Sequence, residues 1–201
     1  GILKPYSNIF GFSTTRHGGC GEGAYATFNC THYCEDNPEH VKANLETLSW
    51  LLPERPRVIV IPRQTHTTNV QVIKDVPTPE ELQDVDAVVT QLKDFCLCVS
   101  TADCVPVLLY DKEKEVIAAV HAGWRGTVGR IVEKTIAYTK DFMGANDAAL
   151  GNVSPVNTSA IMALQKSSVA PLELQKLALY QLAYYQLKAF LCLMPLVCFA
   201  D

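Results

Sequence analysis

The sequence predicts one domain, or one domain plus a tail, that combines helices with a mixed or antiparallel sheet, and three observations carry that expectation. A chain of 201 residues, 48% hydrophobic and 19% charged, is long enough for one sizeable core and short for two. Short β-branched and aromatic runs recur along its middle, separated by polar or glycine-containing turns. Two stretches carry apolar residues at helical spacing instead.

Taken in order, residues 8–13 are apolar-rich and lead into the turn Thr14-Thr15-Arg16-His17-Gly18-Gly19, a strand followed by a loop. Asp36-Asn37-Pro38-Glu39 offers helix-start chemistry, and Val41, Leu45, Leu48 and Leu52 then recur on one face until Pro53. Residues 58–61 and 70–73 are β-branched strands flanking a bend at 63–68. Four more short strands follow, at 87–90, 95–100, 105–110 and 116–120, so a mixed or antiparallel sheet is implied. After Gly126 a second helix is expected, capped by Thr127, striped by Val128, Ile131, Val132, Thr135, Ile136 and Thr139, and ending near Gly144. Beyond Gly151 a loop leads to a Leu/Ala/Gln/Tyr-rich helical stretch from about Pro171. Its apolar part, 177–200, is interrupted by Gln181, Gln186, Lys188 and Pro195, and so reads as a buried or amphipathic helix rather than a membrane span.

A formal charge of −4 argues against a nucleic-acid or anionic-membrane binder and favours a small-molecule substrate. The first residues, Gly1-Ile2-Leu3-Lys4-Pro5, carry no secretory pattern, so a cytoplasmic location is expected, and the length permits a monomer. Eight cysteines, several in apolar runs, are expected to be mostly reduced.

Chemistry concentrates around Cys104 and His121. If Asp111-Lys112-Glu113-Lys114 is the turn of a hairpin, residues whose numbers sum to 225 face each other, and Cys104 and His121 meet that condition. Opposed residues hold their Cβ atoms roughly 5 Å apart, close enough to share a metal or a proton. His66, at a predicted bend, supplies a third donor and completes a His2Cys set. Three protein ligands suit a catalytic zinc, whose fourth position stays open. The same residues also suit a Cys–His nucleophile pair, or a plain sheet interior. Asp103, beside Cys104, is a candidate orienter or general base. A looser grouping, His17, Cys20, Cys30, His32 and Cys34, lacks any CxxC pair and is a weaker metal site. Arg125, among glycines before the predicted helix, and Arg16, in its own glycine-rich loop, are candidates for holding an anion.

Gln64-Thr65-His66, Thr101-Ala102-Asp103-Cys104-Val105-Pro106 and His121-Ala122-Gly123-Trp124-Arg125-Gly126-Thr127 together resemble the laccase-domain, YfiH-like family once called multicopper polyphenol oxidases. Gly11-Phe12-Ser13-Thr14-Thr15-Arg16-His17-Gly18-Gly19 and Thr27-Phe28-Asn29 are similar to its N-terminal signature, and the matches run in order from about residue 8 to Gly151. The resemblance implies one α+β domain layered α/β/β/α, with 1–151 as the catalytic core and 152–201 as a divergent helical segment of the same domain. It implies zinc on His66, Cys104 and His121, with Asp103 moving protons and Arg16, Asn29 and Arg125 contacting substrate or phosphate. The implied chemistry is phosphorolysis of adenosine, inosine and methylthioadenosine, with adenosine deamination. Alternatives are a copper polyphenol oxidase, a metal-free Cys–His hydrolase and a non-catalytic purine-binding protein. The family's usual motifs beyond Gly151, including later arginine and glycine signatures, are missing, so the resemblance implies no substrate contact from that region.

Overall fold

Apolar residues alternate along the strands, and the alternation sorts them into separate layers of core. The structure, a computed structural model, describes residues 8–15, 17–26, 28–102, 104–111, 114–142, 153–155 and 194–199. In chain order the elements are β1 (Ile9–Thr14), α1 (Pro38–Leu51), β2 (Val58–Val60), β3 (Val70–Ile73), β4 (Ala87–Thr90) and β5 (Phe95–Cys98). Then come β6 (Val105–Asp111), β7 (Val116–Ala122), α2 (Trp124–Val128), α3 (Ile131–Phe142), β8 (Val153–Pro155) and β9 (Met194–Phe199). The strands form two mixed sheets, ordered β1-β9-β5-β2 and β3-β4-β7-β6-β8.

The inward faces of the two sheets meet in one core. Val60, Phe95 and Leu97 from the first sheet pack with Val88, Tyr110 and Ile117 from the second. The alternate residues of the second sheet, among them Val89, Val107, Ala118 and Val120, face the other way and pack on Ile131 and Ile136 of α3. On the outer face of the first sheet, Ile59, Cys96 and Cys98 lie against Leu45, Leu48 and Leu52. The result is the four-layer α/β/β/α order. Strands β4, β5 and β7 are buried on both faces, which explains their unbroken apolar sequences.

The first helix forms as its sequence predicts, with Pro38 in the first turn and the Asn37 side chain accepting the Glu39 N–H at 3.0 Å. The second expected helix is two. α2 starts at Trp124 behind Gly123, so Thr127 lies inside it and turns its hydroxyl onto the Gly123 carbonyl at 2.9 Å rather than capping. The chain then breaks at Gly129 and Arg130, the latter in the left-handed region at φ 63°, and α3 takes over. Val128 consequently sits off the buried stripe and is exposed, whereas Ile131, Thr135 and Thr139 are buried.

The C-terminal expectation fails at residues 194–199. These form β9, paired antiparallel to both β1 and β5, where a helix was expected. A short aperiodic apolar run does not distinguish helix from buried strand, and sheet pairing decides. The expected helix from Pro171 lies outside the described residues. Among the described residues no helix is long and apolar enough to cross a membrane. Cys20, Cys30, Cys34, Cys98 and Cys104 are thiols, as expected for most of the set, but Cys96 is disulfide-bonded.

Ile117 is fully buried where the two sheets meet. Ile117→Ala should lower unfolding stability by about 2–5 kcal/mol in a denaturant titration, against about 1 kcal/mol for Asn37→Ala at the α1 cap.

Candidate metal centre

Strand direction gathers the site. β4 and β6 both run antiparallel to β7, and β3 runs parallel to β4. The starts of β3, β4 and β6 therefore lie at the same end of the sheet as the finish of β7. His66 lies in the loop leading to β3, Asp86 immediately precedes β4, Cys104 immediately precedes β6, and His121 is the penultimate residue of β7.

The hairpin register differs from the sequence expectation. Pro106, not Cys104, stands opposite His121, and paired numbers sum to 227. The turn is centred one residue later than predicted, and it includes Glu115 in the left-handed region at φ 50°. A two-residue change in the sum keeps every side chain on its face. Extending the register one step puts Cys104 opposite Gly123 and diagonal to His121, and Cys104 and His121 still converge.

The donor atoms of His66, Cys104 and His121 all lie within 4.8 Å of one another. Cys104 Sγ is 3.6 Å from His66 Nε2, and the two imidazoles meet edge to face with centroids 4.9 Å apart. Tetrahedral zinc with ordinary Zn–S and Zn–N bonds would hold a sulfur and a nitrogen about 3.6 Å apart, so this donor set fits the metal. His121 is buried, Cys104 half-buried and His66 exposed, so the cluster is walled on the sheet side and open on the other.

Three features that the sequence reading missed shape this cluster. The first is Gly123: a Cβ there would lie 2.8 Å from His66 Cδ2 and 3.2 Å from Cys104 Sγ, so the close approach needs glycine. The second is Gln64, whose amide donates to the Ser100 carbonyl and accepts the Ser100 N–H, both at 2.7 Å, tying the His66 loop to the segment that carries Cys104. The third is Asp86, fully buried, with Oδ1 2.7 Å from His121 Nδ1. Burial alone would raise its pKa, but hydrogen bonds from His121 and Thr67 outweigh that and hold the carboxyl below its ordinary value. The signal was an acid directly before a buried strand, in Asp84-Val85-Asp86-Ala87, two residues from Val88 and so on the same sheet face.

The other predicted residues divide. Arg125 is exposed on α2, its guanidinium 5.2 Å from the Trp124 ring centroid; it lies within the short helix, not ahead of one. Asn29 is engaged locally, donating to Asp36 at 2.9 Å and accepting from the Thr31 hydroxyl at 2.6 Å. Arg16 and Asp103 lie outside the described residues. Among the described residues the His17, Cys20, Cys30, His32 and Cys34 grouping forms no metal-holding cluster; Cys20 and Cys34 bond instead to Asn44 and Thr31. A cavity of about 670 Å³ lies between α1 and β2, lined by Val41, Leu45 and Ile59 among others, and contains none of the three donors.

Fold and site together define a layered α+β domain with one three-donor metal-binding group at the end of its second sheet. A family model described as "Multi-copper polyphenol oxidoreductase laccase" matches residues 10–162, and the chain belongs to that family. It is 47% identical over 161 residues to a Bacteroides thetaiotaomicron protein named "Purine nucleoside phosphorylase", covering 76% of this chain and 60% of the relative. It is 39% identical over 142 residues to "Adenosine deaminase RL5" from an unknown prokaryotic organism, covering 67% of this chain and 54% of that protein. The chain thus spans about 60% or less of the length of these curated relatives. The crystal structure of the Bacillus licheniformis hypothetical protein YfiH superimposes with a TM-score of 0.73 at 18% identity, covering 96% of this chain and 93% of that one, a likeness of fold.

Gly123→Ala should push His66 and Cys104 apart. Calorimetric zinc titration should show at least a tenfold weaker affinity, with the thermal midpoint of the metal-free protein shifting far less.

Proposed function

We propose that this chain is a zinc-dependent purine nucleoside phosphorylase, acting on adenosine, inosine and methylthioadenosine, that also deaminates adenosine. The observation that carries the reading is the convergence of His66, Cys104 and His121 at zinc-like spacing in a solvent-reachable position. The names of relatives at 47% and 39% identity support the two activities. Bound there, zinc would supply Lewis acidity and an activated water near neutral pH.

The chain's own residues have definite tasks. His66 and His121 would hold the metal through imidazole nitrogens, and Cys104 through its sulfur. Asp103 is assigned the proton transfers that purine release and deamination require. Arg16, Asn29 and Arg125 are assigned to nucleoside and phosphate; the exposed guanidinium of Arg125 suits a mobile anion. We assign residues 1–151 to the catalytic core and 152–201 to the same domain, an arrangement supported by the pairing of β8 with β6 and of β9 with β1 and β5. The protein acts as a cytoplasmic monomer; the thiols of Cys20, Cys30, Cys34, Cys98 and Cys104 suit a reducing compartment, and the disulfide at Cys96 is the exception. Copper chemistry is the second reading, favoured by the family description. Among the described residues the donors make a single group, which suits one ion rather than several coppers.

Elemental analysis combined with a chromatographic assay of adenosine, with and without phosphate, tests the proposal. One zinc per chain with phosphate-dependent adenine and phosphate-independent inosine is the expected result; copper with phenol-dependent oxygen uptake would replace it with the second reading. Cys104→Ala should lose stoichiometric zinc and both activities while keeping the native circular dichroism. Arg125→Ala should raise KM for phosphate roughly tenfold with kcat nearly unchanged, the loss expected for one charge-assisted hydrogen bond.

A further inference from the structure

Five donors converge on the two oxygens of Asp86, a side chain with no exposed surface. Oδ1 lies 2.7 Å from His121 Nδ1 and accepts the backbone N–H of His66 at 3.0 Å. Oδ2 accepts the Thr67 N–H and the Thr67 hydroxyl, each at 2.7 Å, and the Thr65 N–H at 3.3 Å. The backbone carbonyl of Asp86 also accepts the His121 N–H at 2.7 Å. One residue therefore grips one histidine by its ring and main chain and the other by its main chain. His66 sits in the left-handed region at φ 63°, a conformation uncommon for a residue with a Cβ.

We propose that Asp86 is the positioning residue of the metal centre, fixing His121 with its proton on Nδ1 and Nε2 aimed at the metal, and holding His66 in the backbone conformation that brings its ring to the same point. The assignment rests on the reading that this group binds zinc. A carboxylate is suited to the position because it only accepts: every approaching group is a donor, or becomes one once His121 carries its proton on Nδ1. An asparagine of the same shape would turn an NH2 group toward His121 and His66 or toward Thr65 and Thr67. The negative charge also makes the imidazole a better electron donor through Nδ1–H, an effect that belongs to the metal bond and not to loop bracing. A merely structural Asp86 would influence stability and leave both the tautomer and the metal affinity alone.

The test uses the whole chain and zinc itself. Histidine side-chain 15N NMR of the metal-free protein, at a pH where His121 is neutral, should show it protonated on Nδ1. Competition against a chromogenic chelator should show Asp86→Asn binding zinc 10- to 100-fold more weakly than the parent. Thr67→Val removes one Oδ2 donor and leaves the His121 contact, and should change zinc affinity less than threefold while lowering the thermal midpoint. Zinc affinity of Asp86→Asn within twofold of the parent, or an Nε2-protonated His121 in the parent, would overturn the assignment. If Asp86→Asn does not fold, the parent NMR measurement decides. A parent that binds no zinc overturns the metal reading itself, and this assignment with it.

Discussion

Strand β7 is hydrogen-bonded on both edges, to β4 and to β6, and every one of its seven residues is buried. That double pairing is the constraint from which the rest follows. It fixes which residues precede β4 and β6 at the level of His121, and its alternation decides which side chains face the first sheet and which face α3. A one-residue slip against β4 would carry His121 from the intersheet face to the helix face and away from Asp86. A site built this way inherits its accuracy from a rigid sheet. Only the His66 loop has to be held separately, and Gln64 and Asp86 are the residues that hold it.

Much of the fold was legible because its signals were local. The strands at 70–73 and 87–90 fall where β-branched runs begin and end, and α1 starts on the Asn-Pro-Glu sequence that announces it. The misreadings occurred where tertiary contacts overrule local pattern. The periodicity around Val128 and Ile131 is continuous on paper, but Gly129 and Arg130 turn the chain so that only α3 lies on the sheet. Met194–Phe199 is a strand because it pairs with β1 and β5, partners that its own short apolar run does not reveal.

The three metal donors were legible from residue type and spacing, and the parity of the hairpin preserved their convergence although its register was off by two. The groups that hold them were not. Asp86 drew no notice in the sequence, since nothing in a linear reading shows that its neighbour in space is His121, 35 positions away. The task of Gly123, leaving room for His66 and Cys104, depends on a loop from elsewhere in the chain. The bonds of the Asn29 amide to Asp36 and Thr31 beside α1 are likewise set by spatial neighbours.

The placement of β9 divides the two sheets by the length of chain their pairings must close. β3, β4, β6 and β7 all lie between residues 70 and 122, with only β5 of the other sheet among them and His66 four residues ahead, so their pairings close shorter loops than that of β1 with β9. The other sheet cannot be completed over so short a span. Ile9 finds its partner in Phe199, so β1 depends on a strand from the opposite end of the chain. The metal centre therefore belongs to the half that asks least of loop closure, and the layer behind it depends on the longest closure.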